Sequence, residues 1–270
     1  MERTLRLMCI LAHPDDETLG FGGTLVRYAS EGVETSVITA TRGEKGWFGE
    51  AAAYPGPDEL GKTRETELRA SVAVMGVRDL TLLDYIDGDL DAADARVIVR
   101  SLAGHIRRLK PDVVLTFAHD GFYGHPDHIA ISQFATAAVH AAADQAFDAA
   151  GDPHAVSKLY YRVPSDAYLK AYEAAFGDLV MHIDGEERRG VAWPDWAITT
   201  SIPCRAHWRR VLEAVRCHRT QLPGYETLMK LPEAHHEYMW GTQEYYRVLS
   251  LVSGGRARET DLFEGLRQEG

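Results

Sequence analysis

The chain has 270 residues, with 40 acidic and 29 basic side chains for a formal charge of −11. That length buries an ample core as one α/β domain without disulfides or other staples, and 45% hydrophobic with 26% charged residues is a globular composition rather than a disordered one. The negative excess repels phosphates, which excludes nucleic acid and anionic membrane surfaces as partners and suits a small neutral or cationic ligand.

Cys9, Cys204 and Cys217 are odd in number and lack C-x-x-C spacing, so neither a disulfide framework nor a thiolate zinc knuckle is expected, and a reducing cytoplasm is. Apolar runs such as Leu7–Ala12 and Val113–Ala118 fall well short of the roughly 18–20 residues of a membrane helix. The opening Met-Glu-Arg-Thr leads into a short strand and not a secretion signal.

Taken in chain order, the pattern alternates. Leu5–Ala12 reads as a buried strand and Asp16–Gly32 as a helix with a glycine terminator. Glu34–Thr41 is a second strand, Lys62–Met75 a helix ended by Gly76, Asp79–Leu83 a third strand, and Asp91–Leu109 a helix stopped before Pro111. Asp112–Ala118 is a fourth strand and His128–Phe147 an alanine-rich helix. The alternation predicts a Rossmann-like, mostly parallel sheet with helices on both faces. Beyond residue 150 the pattern loosens: Lys158–Val163 and Leu179–Ile183 read as strands, Asp166–Phe176 and Arg205–His218 as helices, and 245–252 as either. No linker or repeat divides the chain, so 1–270 is expected to be one domain, with 151–270 a less regular extension of the 1–150 core.

Two segments carry the chemistry, each where a predicted strand gives way to a helix. Ala12-His13-Pro14-Asp15-Asp16-Glu17 follows the first strand, and Gly124-His125-Pro126-Asp127-His128 follows the fourth. In a 3-2-1-4 sheet these strands are neighbours and their carboxyl ends form the ligand crevice. A catalytic zinc takes about three His or Asp/Glu ligands and an open position. His13 and Asp16 can converge on one ion, with His128 as the third ligand. Asp15 is then the general base, His125 the group that stabilises or protonates from the other side, and Asp127 a carboxylate that orients a histidine. One His-Pro-Asp triplet alone is usually a helix cap; two at adjacent strand ends favour a metal site. On ligand softness, zinc, ferrous iron and cobalt all suit it.

These motifs, with Thr41-Arg42-Gly43-Glu44-Lys45-Gly46, Arg64-Glu65-x-Glu67 and Cys217-His218-Arg219-Thr220-Gln221, resemble the PIG-L / LmbE-like zinc de-N-acetylases. The resemblance implies the same metal set of His13, Asp16 and His128, Asp15 as base, and His125 at the oxyanion or the leaving amine. It further implies that Tyr123 assists at the amide carbonyl and that Arg64 and Asp87, taken here with Glu44, contact substrate. Asp87 lies in Tyr85-Ile86-Asp87-Gly88, which departs from the family's Arg-Asp-Ser. The activity implied is removal of an N-acetyl group from a GlcNAc-containing small molecule of mycothiol or bacillithiol type. The alternatives are a thiol-conjugate amidase, a tailoring deacetylase on a glycosylated natural product, or a non-catalytic metal or sugar binder. Family members occur as single chains and as assemblies, which leaves a homo-oligomer open.

Other features are weaker. Gly20-Phe21-Gly22-Gly23 reads as close helix packing and not a dinucleotide loop. Residues 43–58 read equally as a substrate-covering loop or a surface cluster. His235-His236-Glu237 reads as a solvated face, His218 and Gln221 as braces of the site, and Trp193, Trp196 and Trp240 as core or rim. The 184–203 segment, like 43–58, is a candidate selector of substrate.

Overall fold

Seven strands form one sheet: β1 Arg6–Leu11, β2 Glu34–Thr41, β3 Asp79–Tyr85, β4 Val113–Phe117, β5 Lys158–Arg162, β8 Thr200–Pro203 and β9 Thr242–Ser250, in the spatial order β3-β2-β1-β4-β5-β9-β8. This computed structural model describes residues 3–178, 180–183, 185–252, 255 and 257–267, so Leu179 and position 184 of the sequence expectations lie outside it. The first five strands in that order are mutually parallel, and β9 runs antiparallel to both neighbours. The expected 3-2-1-4 order therefore holds and is continued on one side by β5, β9 and β8. Strand β1 is central and solvent-free from Leu7 to Leu11, which is why it reads as a continuous apolar run rather than an alternating one.

Helices flank the sheet: α2 (Gly22–Ser30), α3 (Pro57–Met75) and α8 (Trp208–Val215) pack together, as do α4 (Ala95–Leu109) and α6 (Pro126–Ala143). The shorter helices are α1 (Asp16–Leu19), α5 (Gly121–Gly124), α7 (Asp166–Phe176), α9 (Glu226–Lys230) and α10 (Glu233–Gly241). A hairpin of β6 (Val180–Ile183) and β7 (Glu186–Arg189) stands apart from the main sheet. Among the described residues no helix is long and apolar enough to cross a membrane.

Several boundaries differ from the sequence expectations. The helix expected over Asp16–Gly32 is two helices, broken at Gly20–Phe21, and the glycines that follow serve packing: a Cβ on Gly22 would lie 2.7 Å from Val211, and one on Gly23 2.8 Å from Cys204. Helix α3 starts five residues early because Pro57 occupies its first turn after Gly56 at φ +90°. Helix α4 starts late, where the Asp94 carboxylate accepts from the N–H groups of Arg96 and Val97. The ambiguous 245–252 stretch is strand up to Ser250, as part of β9. His236 is buried, with its ring stacked between those of Trp208 and Trp240, so the expectation of a solvated face fails there: indole faces replace water. Trp240 is core, whereas Trp196 is 85% exposed.

The chain beyond β9 is tied back through Glu259. Its carboxylate accepts from Lys158 Nζ (2.8 Å), Tyr160 Oη (2.7 Å) and Thr200 Oγ1 (2.9 Å), all buried. Burial opposes the ionised carboxylate, but Lys158 and the two hydroxyls outweigh it and hold the pKa below the usual range. A depressed folded pKa stabilises the protein above the unfolded value of about 4.3 and ceases to do so as pH falls through the folded one. Glu259→Gln leaves the Lys158 ammonium buried without its counter-charge and is expected to cost about 3 kcal/mol at neutral pH. In denaturant titrations at several pH values, the gap between wild type and variant should narrow below about pH 4.3; a constant gap would remove the ion pair from the account.

Candidate metal centre and active site

Where β1 ends, the chain turns sharply at Asp15. Asp15 adopts φ 110°, ψ −26°, a conformation that Asp tolerates better than most side chains and that tends to persist at functional sites. The turn is closed by Asp16, whose Oδ2 accepts from the N–H groups of Ala12 (3.1 Å) and His13 (2.7 Å), leaving Oδ1 3.3 Å from His128 Nε2. At the end of β4, Asp120 caps the Phe122 N–H and the chain passes through Gly121 at φ +64°, where a Cβ would sit 3.1 Å from that of His128. His125 then caps α6, its Nδ1 accepting from the Asp127 N–H at 3.2 Å.

The hydrogen bonds decide which ring nitrogens face inward. His128 Nδ1 lies 3.2 Å from the Gly121 carbonyl, which can only accept, so the proton sits there and Nε2 presents a lone pair. His13 Nε2 donates to Asp127 Oδ2 (3.0 Å), with Asp87 Oδ1 at 3.1 Å, which turns the lone pair of Nδ1 inward. The two inward nitrogens are 3.2 Å apart, and with an Asp16 oxygen they form a cluster within 4.8 Å of one another. Two ring nitrogens and a carboxylate oxygen this close need a positive charge among them, a proton on His13 Nδ1 or a metal ion, and two imidazoles with one carboxylate are a donor set that fits a divalent metal.

The surrounding charges agree. Burial disfavours a positive charge on His13, yet Asp127 and Asp87 outweigh it and raise its pKa to about 10. Burial likewise disfavours the Asp16 carboxylate, but His128 and His13 hold its pKa well below the usual range. Asp87 is brought down to about 2, His13 overcoming its burial. His125 is the opposite case: burial, then the rings of His128 and His13, push it down to about 3, so it is neutral at physiological pH. Because its Nδ1 accepts, its proton sits on Nε2, where it is available as a donor.

Asp127 is fully buried. Its Oδ2 accepts from Gly88 N–H (2.7 Å) as well as from His13, and Oδ1 from Leu90 N–H (3.1 Å), so it orients His13 as a carboxylate behind a ligand does. Asp15 is held from the other side: Oδ2 accepts from Tyr225 Oη (2.7 Å) and Arg64 Nη2 (2.9 Å), while Oδ1 has no partner among the described residues. Burial raises its pKa against the pull of Arg64. Its backbone N–H donates to Glu17 (2.8 Å), a buried carboxylate that also accepts from Ser71 Oγ (2.6 Å) and His218 Nε2 (2.7 Å). His218 thus braces the turn through Glu17, while Gln221 donates to the Gly46 carbonyl in the segment after β2.

The expected substrate contacts are placed less uniformly. Arg64 is only 3% exposed and already engages Asp15 and the carbonyls of Gly43 and Pro14. Asp87 lines the cavity but is engaged by His13 and by the Lys45 N–H (3.0 Å). Glu44 is not on the cavity wall; its Oε1 accepts from the Asp87 N–H (2.9 Å), which makes it a support of the 85–88 turn. Tyr123 does line the cavity, its ring centroid 6.0 Å from that of His125. Sequence reading missed Tyr225 and Glu17. Tyr225 carries no sequence signal, being 210 positions from its partner, whereas Glu17 sits inside the first motif, buried on α1.

Gly43 shows how tightly this framework is set. It has φ +64°, and a Cβ there would lie 2.2 Å from Arg64 Nη1. Gly43→Ala is expected to displace the guanidinium from Asp15 and lower kcat by up to about 10²-fold. Turnover at saturating substrate tests this, and unchanged kcat would show that the Arg64 contact with Asp15 does not matter for turnover.

The cluster forms one end of a cavity of about 580 Å³, within the range of small-molecule sites. Of the 43–58 segment, Phe48 lines this cavity and rests against Gly224, where a Cβ would approach its ring to 2.8 Å. Trp47 and Tyr54 instead pack on each other, so the segment is part cavity wall and part surface cluster.

Fold and site together define an α/β protein with a His-Asp cluster able to hold a cation beside a cavity. Residues 8–139 match the family described as PIG-L, GlcNAc-PI de-N-acetylase. The chain is 35% identical to the 1D-myo-inositol 2-acetamido-2-deoxy-alpha-D-glucopyranoside deacetylase of Rhodococcus jostii, over 97% of its length and 98% of that protein. Among solved structures it superposes on a conserved protein of Thermus thermophilus (TM-score 0.66, 26% identity, 93% of this chain and 98% of that one). It also superposes on the N,N'-diacetylchitobiose deacetylase of Pyrococcus horikoshii (TM-score 0.67, 20% identity, 90% and 83%), a likeness of fold. The chain belongs to the PIG-L family.

Proposed function

We propose that this chain is a metal-dependent hydrolase in which His13, Asp16 and His128 hold a divalent cation, zinc in the first instance, and Asp15 is the general base. It removes the N-acetyl group from a GlcNAc-containing small molecule, a reading supported by its family and by the activity its Rhodococcus relative is named for. The observation that carries the mechanism is the convergence of three ligand atoms at one end of the cavity, with Asp15 and His125 beside them. A cation bound there would polarise the amide carbonyl and acidify water.

The protein's own groups do the rest. Asp15, fixed at Oδ2 by Tyr225 and Arg64, takes the proton of the attacking water at Oδ1 as the oxygen adds to the carbonyl carbon. The neutral His125 donates its Nε2–H to the developing oxyanion, and Tyr123, whose hydroxyl burial keeps protonated, donates from beside it. When the C–N bond breaks, Asp15 returns the proton to the departing nitrogen, giving acetate and a free amine. His125 is better suited to the oxyanion than to proton delivery, since loss of its one ring proton would leave an imidazolate. The three free cysteines suit the reducing cytoplasm that we propose as its setting.

The test is amine release, with acetate measured in parallel, from the N-acetylglucosaminide of inositol and from simple N-acetylglucosaminides, with zinc, ferrous iron or cobalt added to metal-stripped protein. Equal molar acetate and amine are expected. No release from any substrate with any of the metals would end the proposal.

A further inference from the structure

Asp15 is the residue before helix α1, the place where an aspartate ordinarily turns its carboxylate back onto the free N–H groups of the helix. Here it makes no such cap. At φ 110° its side chain leaves the helix end and lines the cavity, where Tyr225 and Arg64 meet it. A non-glycine residue with this backbone is strained and persists only where neighbouring groups fix it. The Asp15 carbonyl is fixed by the helix itself, accepting from the N–H groups of Thr18 and Leu19, both at 3.0 Å. The N–H lies outside the helix, and its one acceptor among the described residues is Glu17 Oε2, at 2.8 Å.

Glu17 is fully buried and is itself held by side chains from two distant elements. Ser71 on α3 donates to its Oε1 (2.6 Å), and so does His218, 201 positions away (2.7 Å). His218 is also fully buried, and its Nδ1 has no partner among the described residues. A buried pair of ionisable groups adds little stability beyond what packed apolar side chains of the same volume supply, and an unpaired ring nitrogen subtracts from it. Stability of the fold therefore does not account for the pair. Resting on the reading that Asp15 is the general base, we infer that Glu17, braced by His218 and Ser71, is a positioning residue for that base. By holding the Asp15 N–H it fixes the left-handed backbone that takes the carboxylate off the helix end and presents it to the cavity. The metal set does not depend on this hold: Asp16 closes its own turn onto Ala12 and His13, Asp127 orients His13, and the Gly121 carbonyl fixes His128.

The test compares Glu17→Ala with Glu17→Gln, each supplied with zinc. Alanine removes the acceptor. Glutamine keeps an oxygen for the Asp15 N–H, and its NH₂ group meets Ser71 Oγ and, once the His218 proton moves to Nδ1, the lone pair on His218 Nε2. Glu17→Ala is expected to keep about one zinc per chain, to lose the positive φ at Asp15 in a crystal structure, and to lose kcat and kcat/KM together by about 10²-fold. Glu17→Gln is expected to keep the zinc, the positive φ and turnover near that of wild type. His218→Phe keeps the bulk and drops the donor; it should retain zinc and lose kcat by roughly tenfold, and it carries the test if Glu17→Ala does not fold.

Wild-type kcat in zinc-loaded Glu17→Ala, or in His218→Phe should Glu17→Ala not fold, would overturn the inference. So would an unchanged φ in an inactive Glu17→Ala. Loss of zinc from Glu17→Ala would overturn it by making Glu17 a support of the ligand turn, and a Glu17→Gln as impaired as Glu17→Ala would do so by assigning the effect to charge instead of the acceptor. Failure of the underlying reading looks different. Wild-type turnover in Asp15→Asn, or no amine release by the wild type, counts against the base or the hydrolase, and the Asp15 backbone in Glu17→Ala then still decides whether Glu17 holds it.

Discussion

Asp15→Asn is expected to retain about one divalent cation per chain and to lose kcat by about 10²–10⁴-fold, the usual contribution of a positioned general base. Asn is nearly the same size and tolerates the left-handed backbone that Asp15 adopts at φ 110°. Its carbonyl oxygen can still accept from Tyr225 and Arg64, as Asp15 Oδ2 does. What it lacks is a second oxygen able to take a proton: an NH₂ group replaces Oδ1. Metal content by mass spectrometry and acetate release on the same preparation separate the two effects. Wild-type turnover would refute the base assignment, and loss of the metal would make Asp15 a ligand instead.

His128→Ala should produce the converse, loss of the cation itself. His128 is fixed by the Gly121 carbonyl behind it and by a parallel stack on Phe117, with centroids 4.0 Å apart and planes within 5°. Removing it leaves His13 and Asp16 alone. The loss of metal affinity should exceed the roughly 10–100-fold expected when an orienting carboxylate is removed, which makes Asp127→Ala the graded comparison. Thermal melts with and without added zinc give a readout independent of activity. A ligand at 100 times its dissociation constant stabilises by about 2.7 kcal/mol, so wild type should melt higher with zinc, Asp127→Ala less so, and His128→Ala hardly at all. A zinc-induced shift of wild-type size in His128→Ala would move the metal elsewhere, with His13, His125 and Asp127 as the other cluster within reach.

Much of this site is legible in the residues alone because its motifs are short-range. His13 and Asp16 are three apart, and a strand followed by a tight turn brings them together whatever surrounds them. The same holds for His125 capping the helix that carries Asp127 and His128. Substrate contacts are less legible because a side chain's availability depends on its neighbours. Arg64 and Glu44 belong to recognisable motifs, yet Arg64 is bound to Asp15 and two carbonyls and Glu44 supports the turn at Asp87. His236 misleads in the same way, since nothing near it in sequence announces the two tryptophans that enclose it.

Composition, hydrophobic period and motif spacing by themselves determined the α/β class, the first four strands and their order, and the two segments that meet at the strand ends. These are local properties, decided by alternation and by residues within a few positions of one another. Only the tertiary structure decided which histidine nitrogens turn inward, which carboxylate orients His13, and that Tyr225 holds Asp15. Apart from the His128–Gly121 contact, which is local, these depend on contacts between segments 39 to 210 positions apart, such as Gly88 with Asp127 and Asp15 with Tyr225, whose geometry exists only once the sheet has brought them together.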